Sequence, residues 1–248
     1  MKKTNYSYIG IAFIILLFGI IFIPKIVDRI KNKDVVRDDS RSLDVSKEIF
    51  TKTDSKLDYL LINGTRKKVP AFSFVNQDGA TITNKDYLGK VYVVEFFFTT
   101  CPTICPRMSA NLVAIQDKLK DLNGFNNFGV ASFSIMPETD TPEVLKAYAD
   151  NYGVANPNWH LLTGKPKSEV YDLSNIGFNI FVDTENFEHS GDFALVDKDG
   201  YLRSRKDAFG NPKIFYKGII SEIEKIDEDG NEQEITMLVE DIKALLKE

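Results

Sequence analysis

Hydrophobic and polar positions divide the chain into three zones. Residues 4–24 carry no charge and are dominated by Ile, Phe and Leu. At about 1.5 Å of helix rise per residue, that run is long enough to cross the apolar core of a bilayer. It ends IFIPKIVDRIKNK with no small-x-small cleavage site, which favours a retained anchor over a removed signal peptide. An N-terminal transmembrane helix is therefore expected over residues 1–25. Residues 26–68 are rich in charge and poor in large apolar groups, the composition of a tether. A globular pattern begins at Val69 and continues to the end, so residues 69–248 are expected to form the domain.

Within that domain the apolar period alternates between two and 3.6. Ala71–Val75, the turn Asn76-Gln77-Asp78-Gly79 and Thr81–Thr83 read as a hairpin. Val91–Phe98 is a near-continuous apolar run, as in a strand covered on both faces. A helix follows from about Cys105 towards Asn123-Gly124, then a strand over Phe128–Ile135. Thr141–Tyr152 reads as a helix, with Pro142 at its start and Gly153 past its end. Shorter elements are expected at Leu161–Leu162, Ser168–Asn175, Phe193–Asp197 and Tyr201–Arg205, and a closing helix at Glu232–Leu246. Strands and helices in alternation imply an α/β domain, a central, mainly parallel sheet with flanking helices. Lys206–Asn231 is longer and more polar than such a fold needs, and the pattern assigns it no task.

With 31 basic and 36 acidic residues the net charge is −5. No basic cluster interleaved with aromatics occurs, so a nucleic-acid partner is not expected. Lys25, Arg29, Lys31, Lys33 and Arg37 outnumber Lys2 and Lys3 across the apolar run. Counting Lys and Arg alone would put the domain on the cytoplasmic side.

The chain has two cysteines, and both fall in VYVVEFFFTTCPTICPRM, at Cys101 and Cys105. A structural disulfide closing so short a loop would stabilise little. Pro106 suits a first helical position. Both thiols would then lie at a helix N-terminus, where unpaired N–H groups and the dipole lower thiol pKa values. Two soft thiolates on one turn suit Cu(I), zinc or a reversible disulfide. Structural zinc wants four ligands, whereas copper accepts two or three. Only two histidines are available as a third ligand. His160, in NWHLLTG beside the lone Trp159, reads as a packed or rim imidazole. His189 lies on a polar loop feeding a strand, a placement more often functional than structural. Glu95 interrupts the apolar run six residues before Cys101, where thioredoxins carry an aspartate. It reads either as a buried proton acceptor beneath the thiols or as a carboxylate paired with a lysine or facing solvent.

The ordered set FTTCPTICP, PETDTPE, WHLLTG, and a histidine eleven positions before the glycine of KDG resembles the Sco/SenC family. These are membrane-anchored, thioredoxin-like copper proteins that help assemble the copper centre of cytochrome c oxidase. The resemblance spans roughly residues 69–200 plus the final helix. It implies a thioredoxin-like fold and one copper ion, Cu(I) and also Cu(II), bound by Cys101, Cys105 and His189. It further implies the oxidase copper-centre subunit as partner, a thiol reductant, and a domain on the outer face of the cytoplasmic membrane, against the charge count. Two positions depart from the family pattern. Met136 stands where many relatives have aspartate, removing a carboxylate and offering a thioether that reads chiefly as packing. Glu188 replaces an aspartate before the histidine and keeps the charge. Two function classes follow. One is a copper carrier. The other is a thiol–disulfide reductase acting on the cysteines of the apo-oxidase, with Cys101 and Cys105 redox-active and Glu95 moving the proton. A peroxidase fits poorly, because Thr99-Thr100-Cys101 lacks the proline such sites place ahead of the cysteine.

Overall fold

The apolar runs around residues 91 and 128 become the middle of the sheet because every residue in them is buried. A computed structural model describes residues 57–120, 124–183, 190–206, 212–228 and 230–248, together with Leu16. In chain order come β1 (Asp58–Tyr59), β2 (Leu61–Ile62), β3 (Thr65–Arg66), β4 (Ser73–Asn76), β5 (Thr81–Thr83), a 3-10 turn (Asn84–Tyr87) and β6 (Val91–Phe97). Next are α1 (Ile104–Lys120), α2 (Gly124–Asn127), β7 (Phe128–Ser134), α3 (Pro142–Tyr152) and β8 (Trp159–Thr163). The remainder comprises α4 (Lys167–Asp172), a π-helical turn (Leu173–Phe178), β9 (Asp192–Val196), β10 (Leu202–Ser204), β11 (Tyr216–Lys217) and α5 (Ile235–Lys247).

The main sheet runs in the order β1-β10-β9-β6-β7-β8-β4-β5, with β11 also paired to β9. Among the described residues only the β6–β7 and β7–β8 pairings are parallel. The others in this sheet are antiparallel. The expected mainly parallel sheet is thus corrected to a mixed one. Helical crossovers link only β6 to β7 and β7 to β8. The β4–β5 and β9–β10 connections are tight turns, which can join only antiparallel neighbours. The arrangement is a thioredoxin-like α/β fold.

Capping agrees with the sequence pattern. Thr141 caps α3 through Val144 N–H, Pro142 opens the helix, and Gly153 ends it at φ 77°, as helix-end chemistry requires. On α1, Cys105, Met108, Leu112, Ile115 and Leu119 form the buried stripe, at the spacing of one helix face.

Among the described residues the packed part of the chain begins earlier than the expected Val69. Leu57 and Leu60 are buried, and β1 pairs with β10, so residues 57–68 belong to the fold and not to the tether. The expected transmembrane segment lies outside the described residues apart from Leu16. Among the described residues no helix is long and apolar enough to cross a membrane.

Because strand side chains alternate, the sheet sorts its core in two. Val91, Val93 and Phe97 of β6 face α1 and α5 with Cys101, Cys105 and Met108. Tyr92, Val94 and Phe96 face the opposite side with Phe72, Phe74, Phe133 and Phe178.

Candidate metal centre

β6 ends at Phe97, and its chain turns through Thr99 and Thr100 into the first turn of α1. That turn places both cysteines at the sheet end. Neither is in a disulfide. Cys101 is 7% exposed and Cys105 is fully buried. The backbone N–H of Cys105 points at Cys101 Sγ at 3.5 Å, and Thr103 Oγ1 lies 3.8 Å from the same sulfur.

The helix-terminus argument expects both thiols to have lowered pKa values. The structure splits them. Burial pushes Cys101 up, but the backbone N–H groups of Cys105 and Thr103, with their side chains, outweigh it and hold the thiol below its ordinary value. Burial dominates at Cys105 and pushes its thiol far up, with Cys101 and Glu95 adding in the same direction. The two sulfurs are thus displaced in opposite directions from an ordinary thiol, Cys101 towards thiolate and Cys105 towards thiol.

Glu95 is 1% exposed and faces the cysteine side of the sheet. Its Oε1 accepts from Ser132 Oγ at 2.6 Å, and Ser132 Oγ accepts from Trp159 Nε1 at 3.0 Å. Among the described residues its Oε2 has no hydrogen-bond partner. Burial raises its pKa to about 7, against a smaller lowering by Ser132. The structure thus gives the buried arrangement and not the lysine pair or solvent-facing one. Tyr148 stands nearby, its hydroxyl 2.8 Å from Ser109 Oγ and its ring 5.4 Å from that of Phe97.

The two histidines part company. His160 lies on β8, half-buried, with its ring edge-on to Tyr87. Asn76 Oδ1 already accepts from the N–H groups of Asp78 and Ala80. Asn76 Nδ2 therefore donates to His160 Nδ1 at 3.2 Å, which puts the imidazole proton on Nε2. Burial lowers the His160 pKa. This imidazole is a packed group, as the sequence suggests. His189 and Glu188 lie outside the described residues. Ser190 N–H donates to Phe181 O at 3.2 Å. Gly191, two residues after His189, comes beside the cysteine turn, since a Cβ added there would sit 3.5 Å from Ile104 Cδ1.

The segment without a task in the sequence holds that approach in place. β11 pairs with β9, and Gly218 N–H donates to Gly191 O at 2.9 Å. Gly218 O accepts from Asn111 Nδ2 of α1 at 2.8 Å. A Cβ on Gly191 (φ +66°) would lie 2.3 Å from Ile219 Cδ1, and one on Gly218 would lie 2.6 Å from Phe193 Cζ. Only glycine permits both close approaches. Tyr216 Oη donates to Asp241 Oδ2 at 2.7 Å, and Arg205 binds the same carboxylate, pinning the segment to α5.

Met136 is partly buried against the aromatic cluster on the far face, which bears out packing over a ligand role. A groove of about 600 Å³, with Lys67, Phe72, Leu173 and Ile176 among its walls, includes neither cysteine nor Glu95. Among the described residues no group of three His, Cys, Asp or Glu side chains is arranged to hold a metal. The donor set there is two sulfurs in an apolar setting, chemistry that suits a soft ion of low coordination number.

Sequence reasoning missed Ser132, Tyr148 and Asp140. Each is an ordinary polar residue that becomes notable only through what it touches when buried.

A thioredoxin-like domain with two reduced cysteines on the turn after its central strand defines a class of dithiol proteins. Within it, the SCO1/SenC family model matches residues 62–224, and the chain belongs to that family. The SCO1 protein homolog of Bacillus subtilis (strain 168) is 37% identical over 160 residues, covering 63% of this chain and 81% of that protein. The crystal structure of a SCO1/SenC family lipoprotein from Bacillus anthracis str. Ames is 31% identical, with a TM-score of 0.58, covering 72% of this chain and 95% of that one. The structure of BsSco, described with a disulfide switch as a member of the Sco family of cytochrome c oxidase assembly proteins, is 30% identical. Its TM-score is 0.58 over 73% of this chain and 94% of that one.

Proposed function

We propose that this protein is a membrane-anchored copper carrier that holds one copper ion through Cys101, Cys105 and His189 and delivers it to the copper-centre subunit of cytochrome c oxidase. The observation that carries the reading is the pair of free thiols at the sheet end, with Gly191, two residues after His189, close enough that a Cβ there would lie 3.5 Å from Ile104 at the start of α1. Two thiolates suit Cu(I), and an imidazole completes a three-coordinate site that also accommodates Cu(II). A thiol reductant must keep both cysteines reduced. The membership of BsSco in a family of cytochrome c oxidase assembly proteins supports the oxidase as destination.

The apolar run at 4–24 is the proposed single-pass anchor, with the domain on the outer face of the cytoplasmic membrane. The Bacillus anthracis relative is a lipoprotein. That relative's attachment to a membrane supports a membrane location for this domain. Alkaline phosphatase fused after α5 should be active; an inactive fusion alongside an active cytoplasmic reporter reverses the orientation.

A thiol–disulfide reductase is the second reading, and the split thiols favour it. Cys101, the sulfur whose pKa is lowered, attacks the target disulfide. Cys105 then resolves the mixed disulfide, passing its proton towards the buried Glu95. His189→Ala separates the two. A carrier loses Cu(II) binding, loosens Cu(I) and fails in oxidase assembly while its thiols still exchange. Oxidase assembly that survives with copper binding gone replaces the carrier with the reductase.

A further inference from the structure

Asp140 is fully buried, yet every hydrogen bond to its carboxylate among the described residues comes from a neutral donor. Oδ1 accepts from Thr99 Oγ1 at 2.5 Å. Oδ2 accepts from Thr99 N–H at 3.2 Å and from Ser134 Oγ at 2.6 Å. Ser134 Oγ in turn accepts from Met136 N–H at 3.1 Å, and Asp140 N–H donates to Met136 O at 3.0 Å. A buried carboxylate without a cation persists only where several donors compensate its lost hydration. Here two of the three belong to one residue, and that residue stands two positions before Cys101.

Binding both the backbone N–H and the hydroxyl of Thr99 leaves the chain one direction of exit from β6. Cys101 N–H then reaches back to Phe98 O at 3.3 Å, and Cys101 Sγ meets the Cys105 N–H. We infer that Asp140 is the positioning residue of the dithiol: through Thr99 it holds Cys101 in register with Cys105. It acts through the loop, not on the sulfurs. The inference rests on Cys101 and Cys105 being the reactive pair of the proposed function.

The full chain in detergent is equilibrated in glutathione buffers. There the two thiols give two electrons and two protons to oxidised glutathione, forming the Cys101–Cys105 disulfide and two reduced glutathiones. Asp140→Asn and Thr99→Val should each disfavour that disulfide about tenfold, the scale of one hydrogen bond to a charged acceptor. The double variant should shift it no further than Asp140→Asn alone, because both changes break one interaction. Thr99→Ser keeps the hydroxyl and should keep the wild-type equilibrium. Amide exchange at Thr99 and Cys101 should quicken in the first two variants. An unchanged equilibrium with a lowered melting temperature overturns the inference and leaves Asp140 a fold-stabilising group. If Asp140→Asn does not fold, Thr99→Val decides alone, since it is isosteric and keeps the carboxylate. A wild-type pair that forms no disulfide overturns this inference and the reductase reading, and leaves the carrier to be judged by copper binding. The expected shifts together with undetectable copper binding overturn the carrier alone.

Discussion

The two faces of β6 and β7 are cut from the same strands in alternation, yet they are built to different rules. The far face is aromatic: Phe133 touches Phe72, Phe74 and Phe96 with ring centroids 5.1, 5.1 and 5.3 Å away. The face beneath α1 mixes apolar packing with buried Glu95, Ser132 and Ser134 and with both thiols. A buried polar atom costs stability unless it is paired, and Glu95 Oε2 lacks a partner among the described residues. The contrast teaches where this domain trades stability for chemistry. One face supplies packing, and the other keeps ionisable groups at the sheet end where the cysteines turn.

The largest effect should come from the thiols. Cys101→Ser or Cys105→Ser should reduce copper from about one Cu(I) per chain to none after gel filtration, since each change removes a soft anionic ligand. Undiminished metal in the double serine variant would sink the site.

Phe133→Ala tests the other face. It should cost about 3–5 kcal/mol, as large aromatic deletions in cores do, while leaving copper stoichiometry unchanged where the chain still folds. Chemical denaturation and metal analysis on the same sample measure both. Copper lost in step with stability would erase the distinction between faces.

Glu95→Gln comes next, and its effect depends on pH. The folded carboxyl titrates at about 7 against an ordinary 4.5, so the folded state binds the proton more tightly than the unfolded chain. Stability is therefore full below about 4.5, falls as pH rises towards 7, and flattens above. The span is ~3 kcal/mol. The glutamine variant should lose that slope, and its thiol alkylation should change pH dependence. Parallel stability curves for the two proteins would make Glu95 a packing group.

The smallest expected change is Gly191→Ala, about 1–2 kcal/mol for a side chain at positive φ, plus the contact with Ile219. Ile219→Ala should recover the contact part but not the backbone part, and thermal melting resolves the two.

Much of this was legible in the chain. Thr141, Pro142 and Gly153 bracket α3 because capping is local chemistry, and the hairpin around Asn76–Gly79 follows from its turn residues. Cys101 and Cys105 stood out by rarity and spacing, and Glu95 because a carboxylate interrupts an apolar strand. Other features depended on contacts distant in sequence. Strand direction at the sheet margins came from which short strands found β9 and β8. The low Cys101 came from the N–H groups and side chains of Thr103 and Cys105 outweighing its burial, and the high Cys105 from burial itself. Residues 57–68 and 216–219 carry weak patterns of their own and are ordered by what they pack against. Asp140 reads as one more acidic residue in PETDTPE, and only folding brings Thr99 to it. Period, capping and residue chemistry act over a few neighbours, so most elements and the identity of the reactive groups can be read along the chain. Desolvation and long-range hydrogen bonding depend on which distant segments meet, so the tuning of those groups arises with the folded chain.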